Sequence, residues 1–328
     1  MLIAGSDDGV YRLQGVRESG DPDRQKVLDS GRVRRVRTFE RIDGVFAATG
    51  TGLYHSPDGT DWTNLGVPQK KVYAVGADPE AGRLYAGTRP AHVYVARTDG
   101  TSLEEFEWRE CDGFQKLPSR DEWRLPRHEN IAQVRDVHVM PASPDRVVAG
   151  VEVGGVHFST DGGDTWTERA EGVHDDIHEL HVSGPRTLVA ATGDGLFHSS
   201  DTGRSWTRLD QGFDQRYFRA VITADGVLYA AGALANSSTW EDDDTDPMLF
   251  ISHDAETVEP IDHLRPDEMV TGMTAADGHL FAATHRGTIL VRRSDEWAVG
   301  GSVPVPGDVT GRYNPLAWID DSTISRTV

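Results

Sequence analysis

Cysteine is almost missing from these 328 residues: Cys111 stands alone, which excludes an internal disulfide and a thiolate metal cluster. A lone Cys of this kind reads as a small packed side chain. Lysine is nearly as scarce, with four residues (Lys26, Lys70, Lys71, Lys116) among 33 basic ones, so positive charge is carried by arginine. No apolar run reaches the ~20 residues of a membrane-spanning helix. No basic segment followed by an apolar stretch opens the chain, which begins Met1-Leu2-Ile3-Ala4-Gly5 and already reads as a strand. A soluble, cytoplasmic protein without membrane contact is expected. Long 3.6-period apolar stripes with caps are absent too, which argues against a helical fold.

What is present in excess is acid. Formal charge is −20, from 53 acidic against 33 basic residues, and 35 of the acids are Asp. Such a balance argues against general nucleic-acid binding, which needs a basic footprint.

The chain also repeats itself. Ser159-Thr160-Asp161-Gly162-Gly163-Asp164-Thr165-Trp166 follows the pattern S-x-D-x-G-x-T-W, and Ser199 to Trp206 repeats it with Ser205 for Thr. Ser56 to Trp62 is a form one residue shorter. The Ser and Asp side chains can accept backbone N–H bonds inside such a turn, Gly supplies a positive φ, and the Trp offers a large apolar face. Each copy follows a strand, a short Gly loop and a second strand. The first of these strands recurs seven times at a spacing of roughly 40 residues, the range of propeller blades: Leu2–Gly5, Val45–Ala48, Leu84–Gly87, Val147–Gly150, Leu188–Ala191, Leu228–Ala231 and Leu280–Ala283. A further strand precedes every copy but the first: Val33–Val36, Val72–Val75, Val134–Val137, Ile177–Leu180, Phe218–Val221 and Val270–Met273. The missing one is supplied from the other end by Tyr313-Asn314-Pro315-Leu316 and Ala317-Trp318.

The reading is an all-β, seven-bladed β-propeller of four-stranded antiparallel blades, closed by pairing the N- and C-terminal strands in one blade. Rings of six or eight blades are the alternatives, and Pro315 makes the closing register the weakest. One domain spans 1–328, with insertions at about 111–133 and 233–247 on the face opposite the Ser/Asp turns.

On these residues the chain resembles the BNR or Asp-box repeat propellers, a group that includes sialidases and many proteins without catalytic activity. Gly150-Val151-Glu152-Val153-Gly154-Gly155-Val156 and Tyr217-Phe218-Arg219-Ala220-Val221 are similar to the intracellular BNR-repeat proteins described as glycosyl hydrolase-like. Photosystem assembly factors share that fold and serve as scaffolds. The Asp-rich, Lys-poor composition resembles that of salt-adapted cytoplasmic proteins of haloarchaea.

The turns give a register, and the register gives a candidate site. The second residues of the seven inner strands are Arg34, Tyr73, Arg135, His178, Arg219, Thr271 and Asn314. In a ring they form one layer at the channel mouth. Three arginines in one layer of so acidic a chain suit a carboxylate or phosphate. The ligand-binding set is therefore Arg34, Tyr73, Arg135, His178, Arg219 and Asn314. The alternative is that Arg34, Arg135 and Arg219 pair with Asp136, Glu179 and Glu152 and tie blades together. The run His174-Asp175-Asp176-Ile177-His178 with His181 suggests a metal; His178 and His181, three apart on a strand, should face opposite sides, while His174 and His178 could meet across the bend, and no metal and no cofactor is assigned.

The resemblance to sialidases implies three arginines on a substrate carboxylate, a Tyr nucleophile helped by a Glu, and an Asp acid/base. Tyr73, Tyr217 or Tyr313, Glu152, and Asp7 or Asp8 are of the required types, but the family's F/Y-R-I-P string is missing. Three functions follow. The first is a monomeric propeller binding an anionic small molecule or an acidic partner segment. The second is a glycosidase or lyase on a carboxylated sugar, using Glu152, Tyr217 and His178. The third is a protein–protein scaffold.

Overall fold

The computed structural model describes residues 1–320 apart from 19, 41, 79–81, 99–105, 127–128 and 308–310. Alternating β-branched and aromatic residues form seven four-stranded antiparallel sheets. Six of them run in chain order from an inner strand outward. Their inner strands are Val33–Phe39, Val72–Asp78, Gln133–Met140, Ile177–Val182, Tyr217–Ala224 and Val270–Ala276. The remaining sheet takes its inner strand, Leu316–Trp318, from the far end of the chain and pairs it with Leu2–Gly5. Its register is Leu2↔Trp318, Ile3↔Ala317 and Ala4↔Leu316. Pro315 stands just outside this strand. It has no N–H to donate, but its carbonyl accepts from the Gly5 N–H at 2.8 Å, so the proline costs the ladder nothing.

The core is distributed around the ring. Ile3 and Val10 pack on Val33 and Val45, Phe46 on Val75 and Leu84, and Tyr85 on Val134 and Val147. Continuing round, Val148 meets Ile177, Val189 meets Phe218, Tyr217 meets Val270, and Phe281 returns to Leu2 and Leu13. Every interface between neighbouring blades thus has its own buried cluster. The second strands contribute alanines (Ala4, Ala47, Ala86, Ala149, Ala190, Ala230, Ala282) that are all buried, because only small side chains let adjacent sheets approach this closely.

The Ser/Asp turns join third and fourth strands. Ser159 Oγ accepts from Gly163 N at 2.8 Å and donates to Asp161, whose Oδ1 accepts from Thr165 N at 2.9 Å. Trp166 Nε1 donates to the Gly163 carbonyl at 3.0 Å. The turn at Ser199 repeats these bonds, and a fourth at Ser252-His253-Asp254 uses Ser252 and Asp254 the same way with Val258 in place of Trp. Ser159 pairs with Val147 whereas Glu152 pairs with Gln133, so the turn lies at the end of its blade away from Glu152. Ser159→Ala leaves buried N–H groups without their acceptor and is expected to cost about 1–3 kcal/mol, read from the urea midpoint.

One irregularity matters most. In each of the six chain-order blades, the inner strand slips register at the same place. Val33 and Arg35, Val72 and Ala74, Val134 and Asp136, Ile177 and Glu179, Phe218 and Ala220, and Val270 and Gly272 face consecutive partner residues. The skipped residues are Arg34, Tyr73, Arg135, His178, Arg219 and Thr271. A bulge repeated around a ring re-aims the same side chain in every blade.

The two insertions go to different places. Between Cys111 and Gln133, Phe114 meets Trp166 edge-to-face (5.1 Å between centroids) and Trp123 packs tilted on His157 (4.7 Å). That segment fills the wedge between the blades with inner strands Val72–Asp78 and Gln133–Met140 instead of rimming the mouth. In the segment 233–247, Trp240 is buried against Tyr217 and His285, and this insertion does reach the mouth.

Candidate functional site

The bulged residues build a cationic mouth around one ring. The guanidinium carbon of Arg219 lies 3.5 Å from the Tyr313 ring centroid, that of Arg135 at 4.3 Å, Arg32 at 5.3 Å and Arg34 at 5.8 Å. Arg34 also covers Tyr73 at 4.6 Å. Arg135 donates to the Tyr313 hydroxyl. Ring faces hold cations that have left water, and here they hold four.

Counter-charge is supplied to only part of this group. Arg135 meets Glu152 at 3.3 Å, and Arg32 meets Asp7 at 2.9 Å, with Arg312 at 3.7 Å from the same carboxylate. Among the described residues no carboxylate lies within 4.0 Å of Arg34 or Arg219. Arg219 is 3% exposed, and its hydrogen bond is to the Tyr217 hydroxyl at 3.4 Å. Burial pulls the pKa of Arg219 down to about 9, and nearby Arg135 adds to this. Burial, followed by Arg32, does the same to Arg34. Because guanidinium keeps its proton in proteins, both remain charged, with aromatic rings rather than carboxylates as their neighbours.

The expected alternative pairing is therefore met once, by Arg135 with Glu152. Asp136 and Glu179 are taken instead by Arg35 and Arg37. Arg35 reaches Glu179 at 2.5 Å and Asp136 at 3.2 Å, and Arg37 reaches Asp136 at 2.7 Å. These bonds join the inner strands Val33–Phe39, Gln133–Met140 and Ile177–Val182 across the channel. Burial raises the Glu179 carboxyl, whereas Arg35 and Arg37 outweigh burial at Asp136 and hold it far below the usual carboxylate range. A cavity of about 340 Å³ runs along the inner strands here, lined by Arg34, Arg37, His138, His178 and His181 among others. His178 and His181 line the same space, contrary to the alternation rule, because His178 is itself the extra residue of the bulge.

A second group adjoins the arginines. The His178 ring lies 4.4 Å from that of Tyr217, and its Nδ1 bonds the Phe218 carbonyl at 2.7 Å. Its Nε2 faces Asp176 Oδ1 at 3.5 Å. Glu152, Asp176 and His178 place one ligand atom each within 4.8 Å of one another. Burial raises the Tyr217 hydroxyl pKa.

The structure thus brings Arg34, Tyr73, Arg135, Arg219, His178, Glu152 and Tyr217 to one mouth. Asn314 is turned away, donating to the Thr284 carbonyl at 2.6 Å, since its strand has not begun and the neighbouring blade claims its side chain. Asp7 is spent on Arg32 and Arg312, and Asp8 pairs with Lys26 at 3.1 Å. Sequence reasoning missed Arg32, Arg35, Arg37 and Arg312. The run Arg32-Val33-Arg34-Arg35-Val36-Arg37 was the available signal, four arginines in six residues of an acidic chain. It also missed Glu241, which the 233–247 insertion sets 3.1 Å from Arg286 and 4.0 Å from Arg312.

No family model matches this sequence, and no curated protein matches it. Solved structures do. A GH74 enzyme of Niastella koreensis superposes over 82% of this chain and 45% of its own, with TM-score 0.61 and 16% identity. YCF48 bound to D1 peptide matches over 81% of both chains, with TM-score 0.54 and 16% identity. The WD40 repeats of RRP9 match over 94% of this chain and 87% of theirs, with TM-score 0.59 and 8% identity. At these identities the likeness is one of fold, and this chain spans less than half of that GH74 enzyme. Propellers host catalysts and scaffolds alike, so function must come from the site.

Proposed function

We propose that this propeller is of the BNR/Asp-box kind and binds an anion at the mouth formed by Arg34, Arg135 and Arg219. The anion is a small molecule carrying carboxylate, sulfate or phosphate, or an acidic segment of a partner. One observation carries this reading: Arg34 and Arg219 point into a common space with Tyr313 and have no carboxylate among the described residues. Guanidinium forks recognise planar anions bidentately. A structural neighbour solved with D1 peptide offers a parallel for the peptide form of the ligand. The Asp-rich surface fits a salt-rich cytoplasm, and the protein acts there as a monomer away from nucleic acid and membrane.

Calorimetric titration at constant ionic strength tests the reading, with sulfate, glucuronate and an Asp/Glu-rich peptide against neutral glucose and a Ser/Asn analogue. One anion should bind and raise Tm, by the equivalent of about 2.7 kcal/mol at a hundredfold excess over Kd. Equal indifference to all three anions would sink the idea.

A second reading, a glycosidase or lyase on a carboxylated sugar, draws on Glu152, Tyr217 and His178 lying beside the arginines. The GH74 neighbours suit it. Product release from uronate substrates, lost in Glu152→Gln with Tm retained, would favour it over binding alone. A partner recovered equally by wild type and Arg135→Ala would favour a scaffold that uses another face.

A further inference from the structure

We infer that Glu152, Asp176 and His178 form a binding site for a first-row transition ion, of the Zn²⁺ class, with one coordination position open toward the arginine mouth. The three residues come from different places in the fold: the end of strand Ser143–Glu152, the residue before strand Ile177–Val182, and the bulge within it. One donor atom of each lies within 4.8 Å of the others.

The argument turns on His178. It is 1% exposed, and its Nδ1 bonds the Phe218 carbonyl at 2.7 Å, which makes Nδ1 the protonated nitrogen. The neutral ring then directs the Nε2 lone pair at Asp176 Oδ1, 3.5 Å away. No hydrogen bond ends on either atom. A lone pair facing a carboxylate oxygen repels it unless a cation stands between them. A proton would satisfy two atoms, but a third donor atom, from Glu152, lies within 4.8 Å of both, and three such donors suit a metal. Two ligands bound at 2.0–2.2 Å around a tetrahedral ion stand roughly 3.4 Å apart, close to the observed spacing. Bringing in Glu152 needs roughly 1 Å of contraction by the same geometry. The backbone carbonyl behind the imidazole is the usual outer support of a metal-bound His. Arg135 and Gln133 hold Glu152 in a like manner.

One imidazole with two carboxylates suits Zn²⁺, Mn²⁺ or Co²⁺ better than Ca²⁺ or Mg²⁺, which take oxygen shells. Three protein ligands leave a position for water or an incoming anion, as in sites that act on their ligand. Cation binding of this kind stands apart from anion binding by the arginines, and either can fail alone.

The test uses full-length protein stripped with EDTA, titrated with Zn²⁺ and with Co²⁺ in excess Mg²⁺, which occupies the many exposed acids. One equivalent of Zn²⁺ should bind, and Co²⁺ should give the intense visible bands of a four- or five-coordinate N/O site. His178→Gln and Asp176→Asn should each weaken Zn²⁺ at least ~10–100-fold, the scale of disturbing such a shell. Asp243→Asn, in the exposed acidic run, should change nothing. If His178→Gln does not fold, Asp176→Asn carries the comparison, since Asp176 is only partly buried. Equal Zn²⁺ affinity in wild type and Asp176→Asn, or a weak six-coordinate Co²⁺ spectrum, would overturn the assignment.

Discussion

Asp136→Ala is expected to remove about 3–5 kcal/mol of stability, the cost of stripping one partner from a buried ion pair, a large share of the ~5–15 kcal/mol that holds a domain folded. Asp136 is fully buried and meets Arg35 at 3.2 Å and Arg37 at 2.7 Å. It also accepts from its neighbour Val137 N at 3.0 Å and from Leu180 N on the next inner strand at 3.2 Å. Alanine would leave two arginines and two inner-strand amides without this acceptor, with one carboxylate, Glu179, still facing Arg35. The pH sign follows from a carboxyl held far below its usual range. Its contribution is complete above the unfolded Asp value, about 4, and is lost as pH falls below that toward the folded value. Urea midpoints of wild type and Asp136→Asn should therefore differ most at neutral pH and converge below about pH 4. A midpoint in Asp136→Ala equal to wild type would show that the network holds nothing together.

That network is also where reading the sequence stopped short. Strand order, blade number and ring closure were legible because each rests on a repeated local pattern. The alanine-bearing second strands and the Ser/Asp turns mark register, and both are consequences of close sheet packing and turn chemistry. The turn at Ser252 escaped notice because Val258 stands where the others have Trp, although its Ser and Asp make the same bonds. Ring closure survived Pro315 since only its carbonyl is used.

The site was legible in part, for a physical reason. Aligning Arg34, Tyr73, Arg135, His178 and Arg219 needed only equivalence between blades. Assigning partners needed the side of the strand, and strict alternation set His181 opposite His178, whereas both line one cavity. No residue type announces a bulge. The clue was two successive charged residues, Arg34-Arg35, Arg135-Asp136 and His178-Glu179, where an alternating strand would bury one. The bulge lets one of each pair face the mouth and the next face the channel below. Tyr313 was visible as a tyrosine but not as the ring that gathers the arginines, because its placement depends on a segment outside any strand.

Arg219→Ala is expected to separate binding from folding in the opposite sense to Asp136→Ala. Arg219 is 3% exposed, with no carboxylate within 4.0 Å among the described residues, so its desolvation is repaid only by Tyr313 and the Tyr217 hydroxyl. Such a charge weakens the ligand-free fold. Its pKa, drawn down to about 9 by burial, gives the sign. Burial disfavours the charged form, and because guanidinium keeps its proton in proteins the penalty persists at every pH where the protein is folded. Alanine should therefore leave the ligand-free Tm unchanged or higher at pH 7. With an anion bound the ledger reverses, since charge-assisted bonds contribute about 1.5–3 kcal/mol each. Losing a two-pronged contact should weaken the anion by roughly 100-fold or more on that scale. Arg219→Lys keeps the charge but loses the fork, so it should fall between the two. A lower Tm together with undiminished anion affinity in Arg219→Ala would make this arginine a structural strut and leave the mouth without its function.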